Sequence, residues 1–173
     1  MPDTDPLFLQ TDHIGILQSR YEQVLEDQGY DGLLISSGAA PLGYGDDQSW
    51  HFQGYGPFLH WTGLAGFEHA WLLIRKGRKP LLSLHQPVDF WHASLELAHE
   101  PWLEEFEILF NEPPSAPAAD GEGRLAVIGD PSLLADVPGE HNPAELCAEL
   151  DKTRAYKPPY EIACLAHANR LAM

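Results

Sequence analysis

Basic residues are scarce in this 173-residue chain. Ten lysines and arginines stand against 26 aspartates and glutamates, a formal net charge of −16. Nucleic acid and anionic lipid both recruit clustered positive charge, so both partner classes are excluded for this domain. Cysteine is scarcer still. Cys147 and Cys164 are too few for a disulfide framework, and a reducing cytoplasm is the expected setting. No apolar run approaches the ~18–20 residues of a membrane span. The start, Met1-Pro2-Asp3-Thr4-Asp5, lacks the basic, apolar and small-residue regions of a secretory signal. Nucleophile-elbow, Walker and dinucleotide glycine motifs are absent as well, leaving those chemistries without support.

What is present suits one soluble domain, 44% hydrophobic and 21% charged. Ile14, Leu17, Tyr21 and Leu25 recur at helical spacing and predict a helix over Thr11–Gln28, capped by Thr11 or Asp12 and stopped by Gly29. Leu33-Leu34-Ile35 follows as a short buried strand, the grammar of an α/β fold. Ala70–Ile74 and Leu81–Leu84 flank the basic turn Arg75–Pro80 and read as a hairpin. Phe106–Phe110 and Leu125–Gly129 read as further strands, with a Pro/Ala-rich surface loop over Pro113–Gly123. A short helix is expected through Leu95–His99. Asn142 and Pro143 open a helix carrying Leu146 and Leu150, which stops before Lys157-Pro158-Pro159. A last helix runs to Met173 with no stop signal, and this points to a chain cut inside a longer protein.

Between Gly38 and Gly66 periodicity vanishes. A loop of that length is expected to be ordered and partner-facing, because Trp50, Phe52, Phe58 and Trp61 need something to pack on. It contains Asp46-Asp47, an adjacent pair that either shares a raised pKa for acid–base work or simply stabilises a turn. His85, Asp89 and His92 form the nearest approach to a metal-ligand grouping, with loop-lining as the alternative. No Lys or Arg occurs between Lys79 and Arg124, a span with acids at Asp89, Glu96, Glu100, Glu104, Glu105, Glu107, Glu112, Asp120 and Glu122. That stretch is either a solvated face or a surface for a basic partner. The residues by themselves supply no self-contained active site.

Three stretches carry a resemblance. They are His13-Ile14-x-x-Leu17-Gln18-x-Arg20 with Asp31–Leu34 and Ser37-Gly38; Asp46-Asp47 with Phe52, Phe58, Trp61 and Gln86-Pro87-Val88-Asp89-Phe90-Trp91-His92; and Arg154-Ala155-Tyr156-Lys157-x-x-Tyr160-Glu161-Ile162-Ala163-Cys164. Together, from about His13 to Met173, they resemble the N-terminal domain of bacterial prolidases, or Xaa-Pro dipeptidases, including the organophosphorus acid anhydrolase group. Where that family usually reads Asn-Pro-His-Phe-Lys-Ala-Trp, this chain has Tyr55-Gly56-Pro57-Phe58-Leu59-His60-Trp61. The resemblance implies a single α/β domain, with a mixed β-sheet flanked by helices and a ribonuclease H-like motif. It implies residues 1–156 as the N-terminal domain, with 157–173 as linker and first helix of a C-terminal "pita-bread" metallopeptidase domain. Two divalent metals, usually manganese, would lie in that second domain, and none would be bound by this chain. The implied partners are the chain's own catalytic domain, a second subunit in a homodimer, and a dipeptide with C-terminal proline. Asp47, Trp91 and His92 would line the neighbouring subunit's substrate pocket. A free-standing, non-enzymatic binding or scaffold protein with the same fold is the alternative. A small hydrolase working through Asp46, Asp47 and His92 is a third.

Overall fold

A computed structural model describes residues 6–45, 47–87, 97, 100–118 and 123–173. Helix α1 (Pro6–Gln28) leads into strand β1 (Gly32–Ser36). After a long excursion come α2 (Gly56–Thr62), β2 (Trp71–Arg75) and β3 (Leu81–His85). A 3-10 turn at Pro101–Glu105 precedes β4 (Glu107–Asn111), followed by β5 (Leu125–Ile128), the short α3 (Pro131–Leu134) and β6 (Glu140–His141). The chain closes with α4 (Ala144–Ala155) and α5 (Pro159–Ala172). Among the described residues, six strands form one sheet in the order β4-β3-β2-β1-β5-β6. Strand β2 is antiparallel to both neighbours and every other pairing is parallel. The α/β class and the mixed sheet flanked by helices are therefore as expected.

Alternation along the strands divides the core in two. Leu33 and Ile35, Leu72 and Ile74, Leu82 and Leu84, and Ala126 and Ile128 face one way. There they meet the α1 stripe Ile14, Leu17, Tyr21 and Leu25, together with Phe58 and Trp61 of α2 and Leu146 and Leu150 of α4. Leu34, Trp71, Leu73 and Val127 face the other way, onto Leu134 of α3. Burying both faces explains why these short strands read as continuous apolar runs.

Three local expectations need correction. Helix α1 begins at Pro6 rather than at Thr11, so Thr11 and Asp12 are interior residues; proline lacks the N–H that a first turn leaves unpaired anyway. The aperiodic stretch contains α2, whose buried residues Phe58, Trp61 and Thr62 are too few to show a repeat. Pro143, not Asn142, holds the cap position of α4. Asn142, at φ 46°, instead spans to the loop after β5: its Oδ1 accepts from Gly129 N–H at 3.0 Å and its Nδ2 donates to Gly129 C=O at 3.1 Å. The α3–β6 segment was not anticipated, although Asp130 caps α3 by accepting from Ser132 N–H at 2.9 Å, with Pro131 in the first turn. The helix expected through Leu95–His99 lies largely outside the described residues.

Candidate functional site

Strands β1, β3, β4 and β5 point the same way, so their carboxyl ends share one edge of the sheet. The two segments singled out from the sequence both leave from that edge. The chain after β1 enters the Asp47 loop, and the chain after β3 enters Gln86–His92. The edge is tied together by hydrogen bonds. Ser37 N–H donates to Ala70 C=O at 2.8 Å, and Ala70 N–H returns to Ser37 Oγ at 2.9 Å. Ser36 Oγ accepts from Gly38 N–H, Gly38 C=O accepts from His69 N–H, and Glu68 accepts from Ala40 N–H. His69, at φ 56°, sets its ring edge-on to His85 with centroids 5.7 Å apart. Burial, and then the neighbouring His85, push the His69 pKa below its ordinary value.

From this base the loop rises as a small hairpin. Leu42 and Ser49 pair as an antiparallel bridge, Gly43 N–H donates to Gln48 C=O, and Trp50 N–H donates to Pro41 C=O. Asp47 sits exposed at the tip beside Gly45, which adopts φ 69°. Leu42, Tyr44 and Trp50 around it are also largely exposed, Trp50 at 69%. The loop's aromatic residues thus divide: Phe58 and Trp61 are core, Phe52 is half-buried, and Trp50 is exposed. Asp46, Asp89, Trp91 and His92 lie outside the described residues, so Asp47 and His85 alone represent the two expected groupings. His85 donates through Nδ1 to the Asn111 carbonyl at 3.3 Å, and Asn111 Nδ2 donates to Ser83 Oγ at 2.7 Å.

A second constellation was not anticipated. His13 of α1, His60 of α2 and Glu161 of α5 meet where the three helices cross. His60 Nε2 donates to Glu161 Oε1 at 2.6 Å, and His13 Nε2 donates to the His60 carbonyl at 3.1 Å. Tyr160 packs its ring on His13, centroids 4.8 Å apart, and Lys157 pairs with Glu161 Oε2 at 3.2 Å. Burial lowers the pKa of both histidines, the Glu161 carboxylate only partly opposing this at His60. Burial would raise that of Glu161, but the hydrogen bonds from His60 and Lys157 outweigh it and hold the carboxyl below its usual range. No spacing in the sequence could announce this group, because His60 lies 47 residues from His13 and Glu161 lies 101 from His60. Arg20, one turn pair further along α1, donates to the carbonyls of Thr153 and Tyr156. The quoted stretches at residues 13–20 and 154–164 are thus two sides of one contact.

The basic turn after β2 is a solvated structural turn. Lys76 pairs with Glu26 at 2.6 Å, Gln18 donates to Arg78 C=O, and Gly77 N–H donates to Glu22. Cys147 and Cys164 are free thiols. Among the described residues no helix is long and apolar enough to cross a membrane.

The chain matches the family described as Xaa-Pro dipeptidase, N-terminal domain, over residues 8–151. A protein named Xaa-Pro dipeptidase from Marinobacter nauticus is 60% identical over 173 residues, which are all of this chain and 40% of that protein. One of the same name from Aeromonas hydrophila is 34% identical over 178 positions, again covering the whole chain and 40% of the relative. A third, from Xanthomonas campestris, is 32% identical over 170 positions, 95% of this chain and 38% of its own length. The chain therefore spans about 40% of the curated relatives it matches.

Proposed function

The chain belongs to the Xaa-Pro dipeptidase N-terminal domain family, and on that footing we propose that it is the non-catalytic front domain of a metal-dependent dipeptidase cleaving dipeptides with C-terminal proline. The observation that carries this reading is the 60% identity, over every residue of the chain, to a Xaa-Pro dipeptidase of which it fills only 40%. Among the described residues the one cluster with metal-ligand geometry is His13, His60 and Glu161, which is not the set of aspartates, histidine and glutamates expected for a two-metal hydrolase. The two metals, manganese in this reading, belong to a C-terminal catalytic domain, where they supply the activated water.

This chain's own part is to position and enclose. Asp47, exposed on an outstretched finger, offers a carboxylate to a dipeptide's α-ammonium group. Trp91 walls the pocket and His92 lines it, excluding water from the reacting bond. The exposed Leu42, Tyr44 and Trp50 suit a finger that is covered by a second subunit, so the working form is a homodimer with each finger reaching into its neighbour. The boundary is drawn at residue 157: the family match stops at 151, and Ile162 and Leu165 of α5 are 56% and 55% exposed, apolar surface available to a following domain. The two free thiols suit the reducing cytoplasm, where we place the protein.

The test begins with the gene beyond Met173. A reading frame continuing into spaced Asp, His and Glu ligands is expected, whereas a stop codon favours the free-standing scaffold. Full-length protein loaded with manganese should hydrolyse Xaa-Pro dipeptides, and the 173-residue chain should not. Turnover by the short chain would overturn the assignment.

A further inference from the structure

We propose that His13, His60 and Glu161 form a binding site for a divalent transition-metal ion, zinc being the best match, at the crossing of α1, α2 and α5. The donor set comes first. One ligand atom from each of the three residues lies within 4.8 Å of the other two. Ligand atoms around an ion with bonds of about 2.0–2.2 Å sit somewhat more than ~3 Å apart, so modest side-chain rotation closes the set.

The second observation is the state of the imidazoles. A carbonyl and a carboxylate only accept hydrogen bonds, so the Nε2 atoms of His13 and His60 both carry the proton in the contacts they make. In the neutral rings this leaves each Nδ1 with a lone pair. Both Nδ1 atoms are buried and, among the described residues, have no hydrogen-bond partner. Buried acceptors without partners are uncommon. A metal-bound histidine typically holds its other ring N–H on a carboxylate or a backbone carbonyl, and His13 holds its Nε2–H on the His60 carbonyl in this way, leaving Nδ1 to ligate. His60 meets Glu161 through Nε2 at 2.6 Å, so there the ion takes the place of the shared proton and Glu161 serves as a ligand. Burial keeps the rings in the neutral form that ligates.

The surroundings bear on the ion's charge. The domain's net −16 draws cations to its surface. Lys157 opposes this locally: its ammonium pairs with Glu161 Oε2 and donates to the Arg154 carbonyl, but its side chain is 45% exposed, so water screens its charge. An ion here would join the first helix, the loop helix and the last helix, adding cross-links at the junction already gripped by Arg20.

The experiment is a calorimetric titration of the metal-free 173-residue chain with zinc, repeated with cobalt and read by visible absorption. One equivalent of zinc should bind saturably, and cobalt should give the intense bands of a low-coordinate nitrogen and oxygen site. His60→Gln and Glu161→Gln should each weaken binding at least ~10-fold, while His51→Gln, at an exposed position outside the cluster, should bind as the parent does. No saturable binding, or zinc binding that survives both cluster substitutions unchanged, would overturn the proposal. Ring-nitrogen NMR of the unsubstituted chain guards against a variant that does not fold. His13 and His60 should shift on adding zinc, and zinc bound without those shifts overturns the site equally.

Discussion

Arg20 donates through Nη1 to the carbonyl of Tyr156 at 2.9 Å, so the first helix grips the chain at the point where α4 gives way to α5. The same nitrogen reaches Thr153 C=O at 3.2 Å, so one guanidinium serves two carbonyls at the end of α4 that the helix leaves unpaired. Arg20→Met keeps most of the aliphatic stem and removes both bonds. It should lower stability by about 1–2 kcal/mol, with faster amide exchange across α5 than in the sheet. An unchanged urea midpoint would show that water replaces the guanidinium without loss.

Acid should loosen the domain before the carboxylates titrate. His13 and His60 are held below their ordinary 6.5 by burial, so the unfolded chain binds protons more readily than the folded one. Their contribution is complete above about pH 6.5 and is lost as the pH falls toward the folded values. His69 adds a loss of the same sign. Glu161, held below its ordinary 4.5, adds a further loss only below that value. Urea midpoints of the metal-free chain should fall from about pH 7.5 to about pH 5. Replacing His13 with Asn and His60 with Gln should flatten that slope; a profile that rises on acidification contradicts the assignment.

Two glycines should respond oppositely to alanine. Gly139 adopts φ 136°, and an added Cβ would lie 2.7 Å from Val127 Cγ2 and 2.9 Å from the Leu125 carbonyl. Gly139→Ala should therefore cost about 1–3 kcal/mol or more. Gly15 is a helical residue of α1 with nothing among the described residues within 4 Å of the added Cβ. Gly15→Ala should stabilise by roughly 0.5–1 kcal/mol. Thermal melts of the two variants decide the matter by sign.

In the full-length dipeptidase proposed above, Asp47→Ala and Trp91→Ala should each reduce dipeptide turnover while metal content stays near that of the parent. Asp47 is exposed, so its replacement should leave the melting temperature of this domain within about 0.5 kcal/mol equivalent of the parent. Metal loss, or undiminished turnover, would remove the pocket-lining role from these residues.

Much of the fold was legible because it is written at short range. The α1 stripe repeats over about three turns, the buried strands are continuous apolar runs closed by Gly, Ser or a basic turn, and the Pro158-Pro159 pair marks where α5 begins after α4. The finger was legible in outline, as an ordered loop rich in aromatic residues, but which of those aromatics would be core was not. Phe58 and Trp61 turn inward because the seven-residue α2 lays them against the sheet, while Trp50 stays outside on the hairpin. The sequence by itself therefore determined the class of fold, its acidic character and the family likeness, all of which rest on composition and local pattern. The tertiary structure alone decided that His13, His60 and Glu161 share one buried spot, and that the Asp47 loop leaves the same sheet edge as the segment after β3. The reason is physical: such meetings depend on how helices pack across a sheet between residues far apart in the chain, and no local periodicity records that packing.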